Sequence, residues 1–153
     1  MANKRIYLCL AHMSGEEQKF IKEAFDTNWV VPLGPNVNGF EADLKVFVGG
    51  ENEVVALSAG TAAVHLALLA CGVGPGDDVC VQSFTFCASS HPITYLGATP
   101  VFIDSERDTW NMDPQLLEEA IKDRIAKTGK APKAIVPVAL YGICLLYTSD
   151  AAD

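Results

Sequence analysis

The segment Leu57-Ser58-Ala59-Gly60-Thr61-Ala62-Ala63 places two small residues, a glycine and a hydroxyl ahead of a helix-forming run that reaches Cys71. Such a helix start is an anion cradle. Gly60 lets the backbone approach a phosphate with no Cβ in the way, Thr61 adds a hydroxyl donor, and the N–H groups of Thr61 and Ala62 leave the helix start with its dipole behind them. A plain helix start after a strand has the same pattern and stays open on these residues alone. So does a serine hydrolase: Ala56-Leu57-Ser58-Ala59-Gly60 is one residue from the G-x-S-x-G elbow, with Ser58 as nucleophile. Its triad would need an acid and then a histidine downstream, yet His91 is the last histidine. Further on, Gln82-Ser83-Phe84-Thr85-Phe86 puts two aromatic rings at a second strand end, where Phe86 could stack on a flat ring or simply pack in a core. No G-x-G-x-x-G follows the first strand, and no G-x-x-x-x-G-K-[ST] occurs.

The elements that must carry these residues can be read from the periodicity. Ser14-Gly15-Glu16-Glu17 is a capping-box pattern, and Phe20, Ile21, Ala24 and Phe25 recur at helical spacing, which predicts a helix over 15–26. Two prolines and a glycine make Trp29 to Val37 an extended loop. Asn38 with Glu41 then caps a second helix bearing Phe40, Leu44 and Phe47, ended by Gly49-Gly50. Beyond it the order is strand (54–57), helix (61–71), strand (78–81), a helix within 83–96 made late or kinked by Pro92, strand (100–103), a helix capped by Asp113-Pro114, and strand (133–140). Alternation of this kind requires a parallel sheet covered by helices, so the fold class is α/β. Ligands of such sheets bind at the carboxyl ends of the strands, which directs attention to residues 57–62, 82–87, 104–110 and 140–144.

Composition narrows the partners. The 153 residues carry 11 basic and 19 acidic side chains, a formal charge of −8, and half are hydrophobic. One packed domain is expected, without the positive surface that nucleic acids or anionic membranes require. No apolar run approaches the ~18–20 residues of a membrane span, and Met1 to Leu10 is too short and mixed for a secretory signal; a cytoplasmic protein is expected. Five cysteines without C-x-x-C spacing and three scattered histidines argue for small buried thiols rather than disulfides or a metal site.

Seven motifs in order carry a family resemblance: Thr27-Asn28-Trp29 through Pro32-Leu33-Gly34-Pro35, Phe40-Glu41, Ser58 to Ala63, Gly72-Val73-Gly74-Pro75-Gly76-Asp77, Ser83-Phe84-Thr85-Phe86, Gly97 to Phe102, and Leu140-Tyr141-Gly142. Together they resemble the DegT/StrS-type sugar aminotransferases, pyridoxal-phosphate enzymes of the aspartate aminotransferase fold type, over roughly residues 5–143. The resemblance implies the N-terminal part of the large domain of that fold type I architecture. It also implies pyridoxal 5′-phosphate as cofactor, its phosphate held by Gly60, Thr61 and Ala62 and its ring covered by Phe86, with Asn28 and Trp29 near the substrate mouth. The implied reaction moves an amino group from an amino acid, usually glutamate, to a nucleotide-linked keto-sugar; some members are dehydratases, and the complete enzyme would be a homodimer.

In that family a lysine holds the cofactor covalently and an acid keeps its pyridine nitrogen protonated; both follow the Tyr-Gly strand, and none of the eight lysines here stands in the expected motif. No catalytic residue is therefore assigned, and a catalytically inactive fragment is the alternative reading. Ala139 stands where the family usually has histidine and Gln82 where it usually has proline, both read as tolerable variations. Residues 1–143 are expected to form an incomplete large domain with an N-terminal helical segment. Residues 144–153 share nothing with the family and resemble translated adaptor sequence, so an artefactual tail is expected there.

Overall fold

In a computed structural model, Arg5, Tyr7 and residues 11–145 are described, so most of the tail expected at 144–153 lies outside the described residues. The chain divides into two compact units with the boundary between Ala56 and Leu57.

The first unit holds α1 (Glu17–Asp26) and α2 (Pro35–Phe47). Half of the capping pattern is present before α1: the Ser14 N–H donates to Glu17 Oε1 at 2.6 Å and the Ser14 hydroxyl to the same oxygen at 2.9 Å, but the residue preceding the helix is Glu16 and the Ser14 hydroxyl accepts from its N–H at 3.2 Å rather than from that of Glu17. The second helix starts earlier than Asn38. Pro35 occupies its first turn, where a missing N–H costs nothing, so Pro35 to Val37 are helical and Asn38 lies inside the helix. Gly34 precedes it at φ 146°, and a Cβ there would come within 3.0 Å of the Trp29 ring, so this glycine answers to both backbone and close approach. The Glu41 carboxylate does not cap; it accepts from the Ala56 N–H at 2.8 Å.

That bond bears on the first expected strand. Val54–Leu57 is not a strand: among the described residues no neighbour forms a ladder with it, and Val55 and Leu57 are exposed. A strand needs a partner at about 4.8 Å, which its own sequence does not supply.

The second unit is α/β as expected. It runs α3 (Gly60–Ala70), β1 (Asp78–Gln82), a 3-10 turn (Cys87–Ser89), α4 (His91–Tyr95), β2 (Thr99–Ile103), α5 (Pro114–Thr128), β3 (Ala134–Val136) and a last 3-10 turn (Leu140–Gly142). The sheet order is β2-β1-β3, parallel throughout, with Cys80 opposite both Val101 and Ile135. Alternation along β1 fills both faces. Val79 and Val81 pack with Leu68, Val73, Ile93 and Ala98 from the α3 and α4 side, while Cys80 packs with Ile103 and Met112 and is met by Leu117, Ala120 and Ile121 of α5. Full burial of such an aliphatic side chain contributes about 1.5–3 kcal/mol, so the central strand anchors the unit. Pro92 delays α4 to a single short helix, and the Asp113 carboxylate caps α5 by accepting from Gln115 N at 2.8 Å and Leu116 N at 3.2 Å.

β3 is shorter than the expected 133–140. Pro137 offers no ladder donor, and two of the three donors that follow are taken by side chains: Val138 N–H meets Gln82 Oε1 at 3.3 Å and Leu140 N–H meets Asn111 Oδ1 at 2.9 Å. These amides are buried, Gln82 at 0% and Asn111 at 1% exposure. Gln82 also donates to the Phe84 and Trp110 carbonyls at 3.0 and 3.3 Å and accepts from Met112 N at 3.0 Å. Asn111 donates to the Ile143 and Cys144 carbonyls at 3.2 and 3.3 Å. The chain leaving all three strands is thereby tied together.

Two outcomes follow for stability. Asn111→Ala leaves the Leu140 N–H without its acceptor and costs about 1–3 kcal/mol, read as a lower urea midpoint at unchanged slope. At the other end of the chain, hydrogen bonds from the N–H groups of Glu17 and Ser14 hold the Glu17 carboxyl at about 2, against an ordinary 4.5. A depressed folded-state value means that these bonds support the first turn of α1 fully above about pH 4.5 and are lost as pH falls through about 2. The carboxyl is exposed, so salt weakens the effect. Acid titration by far-ultraviolet circular dichroism should show a helical loss in that window that Glu17→Gln abolishes.

Candidate functional site

The start of α3 is built by its composition. Ala59 is extended (φ −162°, ψ 158°), and its carbonyl accepts from Ala62 N at 3.0 Å and Ala63 N at 3.2 Å. The Ala62 N–H, expected to face a ligand, is therefore already committed to the first helical turn. Among the described residues no acceptor meets the N–H groups of Gly60 and Thr61 or the Thr61 hydroxyl, so these three are the donors on offer. A Cβ built on Gly60 meets nothing within 4 Å, and φ there lies outside the left-handed region. Neither packing nor backbone conformation within the described chain demands a glycine, which leaves open approach as its use. No acidic residue stands in the first turn to compete for the dipole.

α3 packs against the 3-10 turn Cys87–Ser89 and against α4, with His65 edge-on to Tyr95 at 5.8 Å between ring centroids. Phe86 immediately precedes that turn and is 77% exposed. The same unit therefore carries Gly60, Thr61, Ala62 and an unburied aromatic ring at the entrance to the turn beside their helix. Phe86 is not a core residue here. An anionic group at the free N–H groups and a flat apolar ring against Phe86 fit the residues present, and this is the chemistry a phosphorylated pyridine asks for.

Asn28 and Trp29 belong to the other unit. Asn28 adopts φ 58°, a left-handed conformation that asparagine tolerates, and Trp29 is half exposed with its N–H donated to Ala24 O at 2.8 Å. Trp29 lines an open apolar groove of about 480 Å³ with Ile21, Phe25 and Val30.

A larger hollow of about 760 Å³ opens at the ends of β1 and β2 and is walled by Phe84, Asp104, Arg107 and Trp110. It includes none of the cradle residues. Trp110 holds φ 63°, unusual for a bulky side chain, and meets Phe84 edge-on at 5.9 Å.

Several other chemistry-bearing groups among the described residues are accounted for by their surroundings. No hydrogen bond among the described residues joins Ser58 to a histidine, so the elbow lacks its base. Lys22, Lys45, Lys122 and Lys127 pair with carboxylates on or beside their own helices. The cysteines were expected to be small buried thiols, but only Cys80 of the four described is buried; Cys71 follows α3 at the surface, Cys87 opens the exposed start of a 3-10 turn, and Cys144 is exposed beyond the last one. Burial, with Asp78 nearby, pushes the Cys80 thiol up and away from reactivity. The residues that sequence reasoning missed are Gln82 and Asn111. The signal for Gln82 was a lone amide closing the otherwise apolar Val79-Cys80-Val81 run, read only as a departure from proline.

Comparison with known proteins identifies the family. EpsN of Bacillus subtilis is 53% identical over 140 residues, covering 92% of this chain and 36% of its own. The GDP-perosamine synthase of Caulobacter vibrioides is 40% identical over 141 residues, with the same coverages. Among solved structures, Spr1654 of Streptococcus pneumoniae in its PMP form superimposes with a TM-score of 0.76 at 34% identity, covering 94% of this chain and 34% of that one. The chain thus spans about a third of the length of the curated relatives it matches. The structural neighbours are fold type I enzymes, as the resemblance implied, and their family works with pyridoxal phosphate. With the family model matching residues 11–146, the chain belongs to the DegT/DnrJ/EryC1/StrS aminotransferase family.

Proposed function

We propose that this chain supplies the phosphate end of a pyridoxal 5′-phosphate site in an aminotransferase that carries an amino group from an amino acid, with glutamate as donor, to a nucleotide-linked keto-sugar. The observation that carries the reading is the start of α3, where the Gly60 and Thr61 N–H groups and the Thr61 hydroxyl lack acceptors among the described residues beside a turn headed by exposed Phe86. When bound, the coenzyme supplies an electron sink for the carbon from which the amino group leaves. The chain's own work is to bind and orient. Thr61 and Gly60 hold a dianion at the positive end of a helix, Ala62 keeps the rim small, and Phe86 covers one face of the ring.

Asn28 and Trp29 are proposed as substrate contacts because they lie in the motif shared with the family. The complete enzyme is proposed as a cytoplasmic homodimer. In the described residues no helix is long and apolar enough to cross a membrane.

A second reading concerns the 153 residues taken alone: they bind the coenzyme's phosphate but do not transaminate. It is favoured by the described lysines, which fall on α1, α2, α5 and the segment before β3 rather than at the carboxyl ends of the strands. Treatment with pyridoxal phosphate and borohydride, followed by peptide mapping, should give no single stoichiometric lysine adduct. One such adduct together with amino transfer from glutamate would overturn the second reading. Pyridoxamine 5′-phosphate, which has no carbonyl to react with lysines, should bind saturably, and Thr61→Val with Phe86→Ala should weaken it about tenfold, ~1.4 kcal/mol. Undiminished affinity in that double variant removes the site assignment.

A further inference from the structure

Gln82 takes no part in the cradle, yet among the described side chains it makes the most hydrogen bonds to backbone. A primary amide has two donors and one oxygen with two lone pairs, and here all four are used on backbone groups from three separate stretches of chain. Its Nε2 holds the Phe84 carbonyl at 3.0 Å, two residues on, so the chain turns as soon as it leaves β1. The same nitrogen reaches the carbonyl of Trp110, whose left-handed backbone costs about 1–3 kcal/mol and persists only where surroundings hold it. Its Oε1 accepts from Met112 and Val138 at 3.0 and 3.3 Å, fixing the amide from the far side.

Two more contacts flank the turn: Ser83 N–H donates to Ile103 O at 2.8 Å, and the Thr85 and Ser89 hydroxyls lie 2.9 Å apart. Phe86 stands between these restraints. A ring 77% exposed has few neighbours to orient it, so its direction is inherited from the backbone that carries it. Leucine in place of Gln82 would leave four backbone groups without partners, and proline would bring no amide arm.

We propose that Gln82 is a positioning residue that sets the Ser83–Phe86 turn and thereby aims the Phe86 ring at the coenzyme. This rests on the cofactor reading above, and the two can fail separately. The test uses the 153-residue chain with pyridoxamine 5′-phosphate as ligand and inorganic phosphate as a competing probe of the cradle alone. Gln82→Leu is expected to weaken pyridoxamine phosphate about tenfold, leave phosphate competition unchanged, and have no further effect in a Phe86→Ala background. Gln82→Glu keeps an oxygen for Met112 and Val138 but loses the arm to Phe84 and Trp110, so it serves if the leucine variant does not fold. In it, hydrogen exchange should rise at the amides of Thr85, Phe86 and Cys87 and stay unchanged through α3. Equal affinity in the unsubstituted chain and both Gln82 variants overturns the proposal alone. An equal loss of phosphate and pyridoxamine phosphate binding, or exchange raised throughout the unit, makes Gln82 merely structural and also overturns it. Absence of pyridoxamine phosphate binding by the unsubstituted chain removes the cofactor reading, and the proposal with it.

Discussion

Side-chain amides with no access to water must satisfy every donor and acceptor they carry, since an orphaned group costs about 1–3 kcal/mol. Gln82 and Asn111 meet that demand by drawing in backbone from the exits of all three strands: 84 after β1, 110–112 after β2, and 138–144 after β3. Loops at the carboxyl end of a parallel sheet have no ladder of their own, and such loops carry the ligand groups. Here the loops share two fixed points instead. The short β3, the left-handed Trp110 and the early turn at Phe84 are all consequences of that sharing.

The cradle depends on a different part of the same unit. α3 carries no charge in its first or last turn and buries Leu68 against Val79 and Val81, so its placement comes from apolar packing while its N-terminus stays available. The two jobs use opposite properties of one short sequence. Small residues at its start leave room for an anion, and leucine and valine further along fasten it to the sheet. Because Cys80, Ile103 and Met112 pack under α5 on the other face, β1 is held from both sides, and the turn leading to Phe86 starts from a rigid strand.

The N-terminal unit is organised differently. Neither α1 nor α2 has a buried residue, and Phe25, Leu33, Val46 and Phe47 are well exposed. Its internal order comes from local devices: the Ser14 bonds to the Glu17 carboxylate, Pro35 at a helix start, the Trp29 ring over Gly34, and the Glu41 bond to Ala56.

What the amino-acid order determined by itself is what closes its hydrogen bonds within a few residues. α1, α3 and α5 lie within a residue or two of where caps and periodicity put them, Pro92 delayed α4, and apolar strands alternating with helices dictated parallel pairing. Gly60, Thr61, Ala62 and Phe86 could be singled out by type and spacing, and the coenzyme role proposed for them rests on those types and on the family motif. Tertiary structure alone decided the rest, because strands and buried amides are completed by distant partners. Val54–Leu57 has strand composition but no neighbour among the described residues to pair with; Val138 and Leu140 gave their donors to side chains rather than to a ladder; and Gln82, one polar letter after an apolar run, found partners 28, 30 and 56 residues away that no local pattern announces.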